Sequence, residues 1–335
     1  MKHLKFLSAA AAAALVLTSF TACGTSGSEG GDAAKTVTIG TLDLVNGDLI
    51  AQYEDWYTKE LGAEVKLVTF DSGKDINSAL ASSSIDIGQV GTSPAALAIS
   101  SDIDIEVIWI GDIIGAAETL AARDGSGISS LQDLVGKKVA TPFASTAHYS
   151  LLNALKLEGI DENSVSIIDM QTDKINAAWQ TGDIDAAYVW YPVLGELLKT
   201  GTSITDSYQL AQKGVVTADT NVVRRAYAEA NPEIVTKFVE LQLRANEIIN
   251  TDSDKAATEI AAKLEISKED AADQITQFSY LNADEQISYL DGSFAETLKS
   301  TADFLVEQKS ITSAPDLSAF QSRVTSEFVK KASGK

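Results

Sequence analysis

The sequence predicts an α/β fold made of two units, each a mostly parallel sheet with helices on both faces. Short apolar segments alternate with helix-like stretches from residue 35 onward, and this rhythm is typical of βαβ units. The same rhythm starts again after residues 124–127 (Asp-Gly-Ser-Gly), which are typical of a loop. The folded part ends near residue 329 and is longer than one typical core, so two lobes are favoured.

Four strands and three helices are predicted in the first unit. The strands are residues 36–40, 64–70, 85–88 and 103–110, which are rich in β-branched residues or apolar throughout. The helices are residues 48–61, 74–82 and 94–99. For the third helix we predict Ser93 as the N-cap and Pro94 as the first helical residue.

The second unit repeats this order before the chain returns to the first. Its predicted strands are residues 138–141, 165–170 and 186–190, with one helix capped by Ser145 or Thr146 and another around residues 175–179. Residues 217–223 are rich in β-formers and are predicted to cross back to the first unit. A long amphipathic helix follows Asn231 and Pro232, and the remainder is predicted to be helical.

The N-terminus has the pattern of an export signal. Its apolar run, residues 6–17, is shorter than the about 20 residues that a membrane-spanning helix needs. Small residues precede Cys23 as in a bacterial lipoprotein box, although Phe20 departs from it, so residues 1–22 are predicted to be a lipoprotein signal peptide. Cys23 would carry the lipid, and residues 23–35 would be a flexible tether. The alternative is ordinary secretion with Cys23 as an unused thiol.

Composition excludes several classes of function. The formal net charge of −21 argues against nucleic-acid binding and against adhesion of the folded body to anionic lipid. Cys23 is the only cysteine, so the body has no disulfide, cysteine–zinc cluster or cysteine nucleophile. His148 is the only histidine beyond the signal peptide, and no nucleophile elbow, Walker loop or dinucleotide motif is present. We therefore expect a protein without cofactor, metal or enzymatic activity.

Two hydroxyl-rich helix starts are candidate anion-binding elements. Residues 91–94 (Gly-Thr-Ser-Pro) place Thr92 and Ser93 at one helix start, and Ser145 and Thr146 stand at the other. Helix N-termini carry partial positive charge and outward-pointing N–H donors, so two of them could hold a tetrahedral anion. The alternative is that these hydroxyls only cap their helices.

Aromatic and acidic residues mark the other candidate positions. Trp190 follows a strand at the start of a loop and either walls a ligand or packs between the lobes. Glu118 and Asp219 lie near the two predicted crossovers, as ligand contacts or as halves of structural ion pairs; for Asp219 the partner would be Arg224 or Arg225. Two other tryptophans, Trp109 and Trp179, are predicted to be core residues.

Four segments resemble the periplasmic taurine-binding proteins. They are residues 70–73 (Phe-Asp-Ser-Gly), 91–94, 142–152 (Pro-Phe-Ala-Ser-Thr-Ala-His-Tyr-Ser-Leu-Leu) and 177–190 (Ala-Ala-Trp-Gln-Thr-Gly-Asp-Ile-Asp-Ala-Ala-Tyr-Val-Trp). The resemblance implies a two-lobed periplasmic-binding-protein fold of the second type, with two crossovers. On this basis residues 36–122 and 220–335 form lobe 1, and residues 123–219 form lobe 2.

The resemblance also implies the residues of a ligand site. Five would face a sulfonate group: Thr92, Ser93, Ser145, Thr146 and Tyr149. Three would surround an amino end: Glu118, Trp190 and Asp219. The sequence departs from the family at Leu42, Asn46 and Asn221, where Gln, Glu and Trp are common, so the ligand is open between taurine and a larger or less polar relative.

By the same resemblance, the protein is expected to be a monomeric, lipid-anchored component of an ABC importer at the extracellular face of the cell membrane. Its partners would be a small sulfonate, with taurine the first expectation, and the permease and ATPase subunits, with no nucleic acid. Other ligands remain open, namely alkanesulfonates, nitrate and thiamine-pyrimidine precursors. An enzyme on the same fold and a sensory or adhesive lipoprotein are the alternatives from other classes.

Overall fold

The computed structural model describes residues 35–335, which form eleven strands in two sheets. The first sheet contains β1 (Thr36–Thr41), β2 (Glu64–Thr69), β3 (Ile87–Gly91), β4 (Ile105–Ile114), β10 (Ala218–Arg224) and β11 (Phe278–Ser279). The second sheet contains β5 (Glu118–Arg123), β6 (Lys138–Thr141), β7 (Ser166–Asp169), β8 (Ala186–Trp190) and β9 (Gly201–Asp206). The predicted α/β class is confirmed.

Helices surround both sheets. Those up to β10 are α1 (Gly47–Tyr53), α2 (Trp56–Glu60), α3 (Gly73–Ala81), α4 (Thr92–Ser100), α5 (Thr146–Leu157), α6 (Thr172–Thr181), α7 (Val193–Leu197) and α8 (Ser207–Ala211). Those after it are α9 (Arg225–Ala230), α10 (Pro232–Thr251), α11 (Ser253–Leu264), α12 (Lys268–Ile275), α13 (Ala283–Asp291), α14 (Phe294–Glu307), α15 (Leu317–Gln321) and α16 (Glu327–Ser333). Short 3₁₀ turns occupy Leu131–Leu134, Glu162–Ser164 and Leu198–Thr200. Within residues 35–335, no helix has the length and apolar character needed to cross a membrane.

The sheets are mixed rather than mostly parallel. In the first sheet, ordered β11-β4-β10-β3-β1-β2, β1 pairs in parallel with β2 and β3. In the second, ordered β7-β6-β8-β5-β9, β6 pairs in parallel with β7 and β8. The pairs that include β10 or β5 are antiparallel. Parallel pairing therefore holds among strands joined by helices within one sheet, whereas β10 and β5 arrive from the other sheet and run in the opposite direction.

The chain changes sheets twice. It leaves the first sheet at the end of β4, Ile114, and enters the second at Glu118. It leaves the second after β9 and α8 and re-enters the first at Ala218. The first change therefore comes before residue 122, the lobe boundary expected from the sequence. We call the first sheet with its helices the first lobe, and the second sheet with its helices the second lobe.

Each lobe has its own hydrophobic core. The first core includes the fully buried Trp109 and Phe238, and the second lobe buries Trp179 against the residues of α7 and β8. Both tryptophans are core residues, as the sequence predicted. Helix α14 packs against α4 in the first lobe and reaches the second lobe at its C-terminal end, where Phe304 contacts Tyr149.

Candidate functional site

A narrow cavity of about 30 Å³ lies where the two lobes meet. Its apolar wall is formed by Leu42, Leu44, Pro94, Ile114, Trp190 and Phe278. Its polar lining is formed by Glu118, Ser145, Thr146 and Asp219, with Gly73 and Gly91 contributing backbone. The cavity thus lies beyond the C-terminal ends of β3 and β6, the strands that precede α4 and α5. This is the usual position of ligand sites in open α/β sheets.

The lobes approach each other closely at Gly91 and Thr146. A Cβ atom built on Gly91 would lie 2.6 Å from Cγ2 of Thr146 and 3.5 Å from Oδ1 of Asp219. Real Cβ atoms do not approach other atoms to 2.6 Å, so glycine is required for this approach. Gly91 belongs to the end of β3 and Thr146 begins α5, so the contact joins the N-terminal ends of α4 and α5.

Helix α4 presents two unbonded hydroxyls at its first turn. Thr92 and Ser93 are fully buried, and neither hydroxyl oxygen has a hydrogen-bond partner within the described part of the chain. Gly91 rather than Ser93 is the N-cap, because the helix starts one residue before Ser93 and that side chain makes no capping bond. Neither residue lines the cavity, but their neighbours Gly91 and Pro94 do, so the two unbonded hydroxyls lie immediately behind its wall.

The hydroxyls at the start of α5 are already engaged. Ser145 is the N-cap, as predicted: its Oγ accepts from the amide of His148 at 3.1 Å and donates to the carbonyl of Pro142 at 2.6 Å. Thr146 Oγ1 donates to Glu118 Oε1 at 2.5 Å. The first-turn amides of Thr146 and Ala147 have no carbonyl within the helix to bind, so α5 offers N–H donors rather than hydroxyls.

Glu118 is a fully buried carboxylate held by hydroxyl groups. Besides Thr146, it accepts from Ser207 Oγ at 3.0 Å and from Ser150 Oγ at 3.4 Å. Burial raises the pKa of Glu118 to about 8, although these hydrogen bonds act in the opposite direction and the nearby Asp219 adds to the rise. The site therefore disfavours the ionised form of Glu118 unless a cation approaches it.

Asp219 lines the cavity from β10 and pairs with no basic residue of residues 35–335. The arginines considered as partners bind elsewhere: Arg224 pairs with Asp86 and Arg225 pairs with Asp104. Burial raises the pKa of Asp219 to about 7, while a hydrogen bond with Asp112 acts to lower it. A structural ion pair with either arginine is excluded, so this buried carboxyl group has no cationic partner among the described residues.

The other predicted site residues have different placements. Trp190 is half-buried, lines the cavity, and lies opposite Glu118 in the β5–β8 pair. Tyr149 does not line the cavity: its ring lies edge-on to Phe304, 5.1 Å between centroids, in the core of the second lobe. Cys23 lies outside the described residues. Within residues 35–335 no cluster of His, Cys, Asp and Glu is arranged to hold a metal ion.

The cavity combines two kinds of polar group. Glu118 and Asp219 contribute buried carboxyl groups, and the starts of α4 and α5, which carry the partial positive charge of helix N-termini, lie beside them. A small molecule with a cationic and an anionic end fits this arrangement better than a simple anion, because the carboxylates would repel the latter.

Comparison with known proteins gives the same picture. Residues 45–256 match the family model described as NMT1/THI5 like. The taurine-binding periplasmic protein of Escherichia coli (strain K12) is 39% identical over 304 residues, covering 89% of this chain and 93% of the relative. The chain belongs to the NMT1/THI5-like family. Its resemblance to taurine-binding proteins, inferred from four segments, is confirmed over most of the sequence.

Other members extend the comparison to sulfonates and to the fold. A putative aliphatic sulfonates-binding protein of Bacillus subtilis (strain 168) is 28% identical, with 92% of each chain covered. The crystal structure of the periplasmic aliphatic sulphonate binding protein SsuA from Escherichia coli superposes with a TM-score of 0.72 at 21% identity, covering 88% of this chain and 92% of SsuA. The two-lobed periplasmic-binding-protein fold is thereby confirmed.

This NMT1/THI5-like protein also uses residues that sequence reasoning missed or only flagged. Leu42 lines the cavity, whereas Asn46 lies behind it and donates to Asp112 Oδ2 at 3.4 Å. Asn221 is buried on β10 with its Nδ2 unbonded in the described structure. Asp112 was missed, although a charged residue within the apolar β4 carries the same signal that singled out Asp219.

Proposed function

We propose that this protein is a solute-binding protein that captures taurine, or a closely related small sulfonate, between its two lobes. It then presents the closed, ligand-bound form to the permease and ATPase subunits of an ABC importer. It binds the ligand without turning it over. The function of the relatives and the mixed polar lining of the cavity support this proposal together, since an aminoalkyl sulfonate has one cationic and one anionic end.

The observation that carries the proposal is the juxtaposition of Asp219 with the starts of α4 and α5. Asp219 is buried at the cavity without a basic partner in the described chain, so an ammonium group provides its missing charge. Thr92 and Ser93 provide unbonded hydroxyl donors, and helix N-termini favour anions. Both halves of a zwitterion are thus recognised within one small space.

A ligand panel tests the proposal directly. Taurine, ethanesulfonate, β-alanine and nitrate would be titrated by calorimetry and compared by thermal shift. Taurine is expected to bind most tightly, because only taurine among them combines ammonium and sulfonate, and at 100 times its Kd it should add about 2.7 kcal/mol of stability. Equal affinity for taurine and β-alanine, or product formation from any ligand, would contradict the proposal.

The apolar wall favours one refinement. Leu42 and Leu44 both line the cavity, where a more polar wall would suit the smallest sulfonate best. Longer or N-alkylated aminosulfonates therefore belong in the same panel. If one of these compounds binds more tightly than taurine, the ligand is still an aminosulfonate, but taurine is not the preferred one.

Removing the unbonded hydroxyls of α4 is expected to weaken sulfonate binding. Hydrogen bonds to a charged group contribute about 1.5–3 kcal/mol each, so Thr92→Val combined with Ser93→Ala should lower taurine affinity at least about tenfold. The ligand-free variant should be as stable as the wild type or more stable, because two buried, unpaired polar atoms have been removed. Calorimetry and thermal unfolding measure the two quantities.

Ser145→Ala is the matched control for that variant. It also removes one hydroxyl at a helix start near the cavity, but this hydroxyl caps α5 and is engaged within the protein. Its loss should lower the free energy of unfolding by about 1 kcal/mol and weaken taurine binding less than the double variant does, because this hydroxyl is already bonded within the protein. Equal losses of affinity in the control and the double variant would argue that α4 has no special role.

We further propose that Cys23 carries a lipid that holds the protein at the extracellular face of the cell membrane. The proposal rests on one cysteine between an apolar export segment and a Gly/Ser-rich tether. Cys23→Ala should leave the protein unprocessed or release it into the medium. Fractionation and the mass of the mature protein measure this, and a correctly processed, membrane-held variant would refute the anchor.

A further inference from the structure

Asp112 is a fully buried aspartate directly behind the cavity. It lies on β4 in register with Asp219 of β10, and opposite residues of an antiparallel pair share one face of the sheet. The pair lies next to a bulge, a register shift between Asp219 and Thr220. The two carboxyl groups are therefore immediate neighbours, Asp112 fully buried and Asp219 at the cavity wall.

The charged and titratable groups around this pair offer it no cation. Glu118 of β5 is another carboxyl, and Tyr280 after β11 donates its hydroxyl to the carbonyl of Val45. Asn46 contributes one amide bond to Asp112 Oδ2. Two adjacent buried carboxylates cannot both be ionised without such a cation, so the pair must retain a proton.

The structure indicates which of the two holds the proton. Asp112 has no exposed surface, whereas Asp219 lines the cavity. Burial and the neighbouring Asp219 raise the pKa of Asp112 well above its usual range, whereas the closeness of Asp112 acts to lower the pKa of Asp219. Asp112 Oδ1 has no donor partner among the described residues, and a proton there converts this orphaned oxygen into a donor.

We propose that Asp112 is a positioning residue: a neutral carboxylic acid that donates its proton to the carboxylate of Asp219 and holds it towards the cavity as a single anion. The ligand's ammonium then meets one oriented carboxylate rather than a repelling pair. This inference rests on the proposed function for its ligand, but the protonation of Asp112 is a property of the protein alone.

Two substitutions at Asp112 separate hydrogen bonding from charge. Asp112→Ala removes the donor and should lower taurine affinity about tenfold. Asp112→Asn supplies an N–H donor of nearly the same shape and should restore most of that loss. A loss in Asp112→Asn as large as that in Asp219→Asn would overturn the proposal, because it would mean that the charge of Asp112, not its proton, serves the ligand.

Two measurements without ligand test the proton itself. The carboxyl ¹³C shift of Asp112, assigned by its absence from Asp112→Asn, should remain that of the protonated acid at neutral pH. The second measurement is stability against pH. Because the pKa of Asp112 is raised in the folded protein, its contribution to the free energy of unfolding is full below 3.8, the pKa of the unfolded state. This contribution is lost as the pH rises towards the pKa of the folded state. As the pH rises above about 4, the wild type should therefore lose stability that Asp112→Asn keeps, so the melting temperature of the variant should rise relative to that of the wild type.

The outcomes distinguish the two proposals. If taurine does not bind the wild type but Asp112 stays protonated, the proposed ligand is wrong. The proposal that Asp112 and Asp219 form a hydrogen-bonded acid pair then still stands. If taurine binds and the carboxyl of Asp112 titrates in the ordinary acidic range, the acid pair is wrong and the proposed function stands. A melting-temperature difference that does not change with pH would also overturn the acid pair.

Discussion

Taurine affinity is expected to fall about a hundredfold when Asp219 is replaced by Asn, whereas ethanesulfonate affinity should stay the same or rise. Asn keeps the shape of the side chain and removes its charge. Leaving one member of a buried charge pair without its partner costs about 3–5 kcal/mol, and a hundredfold loss corresponds to only about 2.7 kcal/mol. Ethanesulfonate has no ammonium, so it gains nothing from the carboxylate and is repelled by it.

The reason to expect so large an effect is the isolation of Asp219. It is 6% exposed, and no ion pair among residues 35–335 includes it. Parallel calorimetric titrations of both ligands against wild type and variant measure the difference. If both ligands weaken together, Asp219 acts by shaping the cavity rather than by pairing with the ammonium.

Asp86→Asn is the matched control for this experiment. Asp86 also lies in the first lobe, but it pairs with Arg224 and accepts from the amide of Thr38 at 2.9 Å, away from the cavity. Its substitution should lower the stability of the free protein and leave taurine affinity nearly unchanged. The contrast excludes a general effect of net charge, since both variants lose one negative charge.

Local sequence patterns predicted the strands that follow the βαβ rhythm. The limits of β6 and β8 were predicted to the residue, and those of β1 and β2 to within one. The pattern missed β5, which is rich in alanine, and β9, whose residues are polar and partly exposed. Neither strand has the alternation of apolar and polar residues that predicts a strand, so only their pairing within the sheet reveals them.

Site residues were predictable from the sequence where a single residue stands out from its segment. They were not predictable where strand pairing brings distant residues together. Asp219 and Glu118 stood out as carboxylates in otherwise apolar or β-rich segments, and both lie at the cavity. The neighbourhood of Asp112 and Asp219 arises from the register of β4 with β10, two strands more than a hundred residues apart in the chain. The hydroxyls of α5 show the same limit, since only the fold reveals that Thr146 is bonded to Glu118.

Gly91→Ala is expected to lower the affinity for every ligand of the cavity about a hundredfold, because it keeps the lobes apart. The backbone of Gly91 has φ −73° and ψ 168°, a conformation that alanine adopts readily, so the first lobe should fold normally. The added Cβ meets Thr146 of the other lobe at 2.6 Å, closer than any real contact. The added methyl group therefore opposes closure of the two lobes. A ligand that binds only the closed state loses affinity in proportion to the decrease in the fraction of molecules that are closed.

Thr146→Ser is the compensating change, because it removes the Cγ2 methyl group that the new Cβ would strike. It retains Oγ and with it the hydrogen bond to Glu118, so its own effect on the cavity should be small. The double variant Gly91→Ala with Thr146→Ser should therefore recover most of the lost affinity, and small-angle scattering with ligand should show the compact form again. Without such recovery, the loss would come from a change within the first lobe. If Thr146→Ser in the second lobe restores affinity, the loss in Gly91→Ala comes from the contact between Gly91 and Thr146 at which the two lobes close.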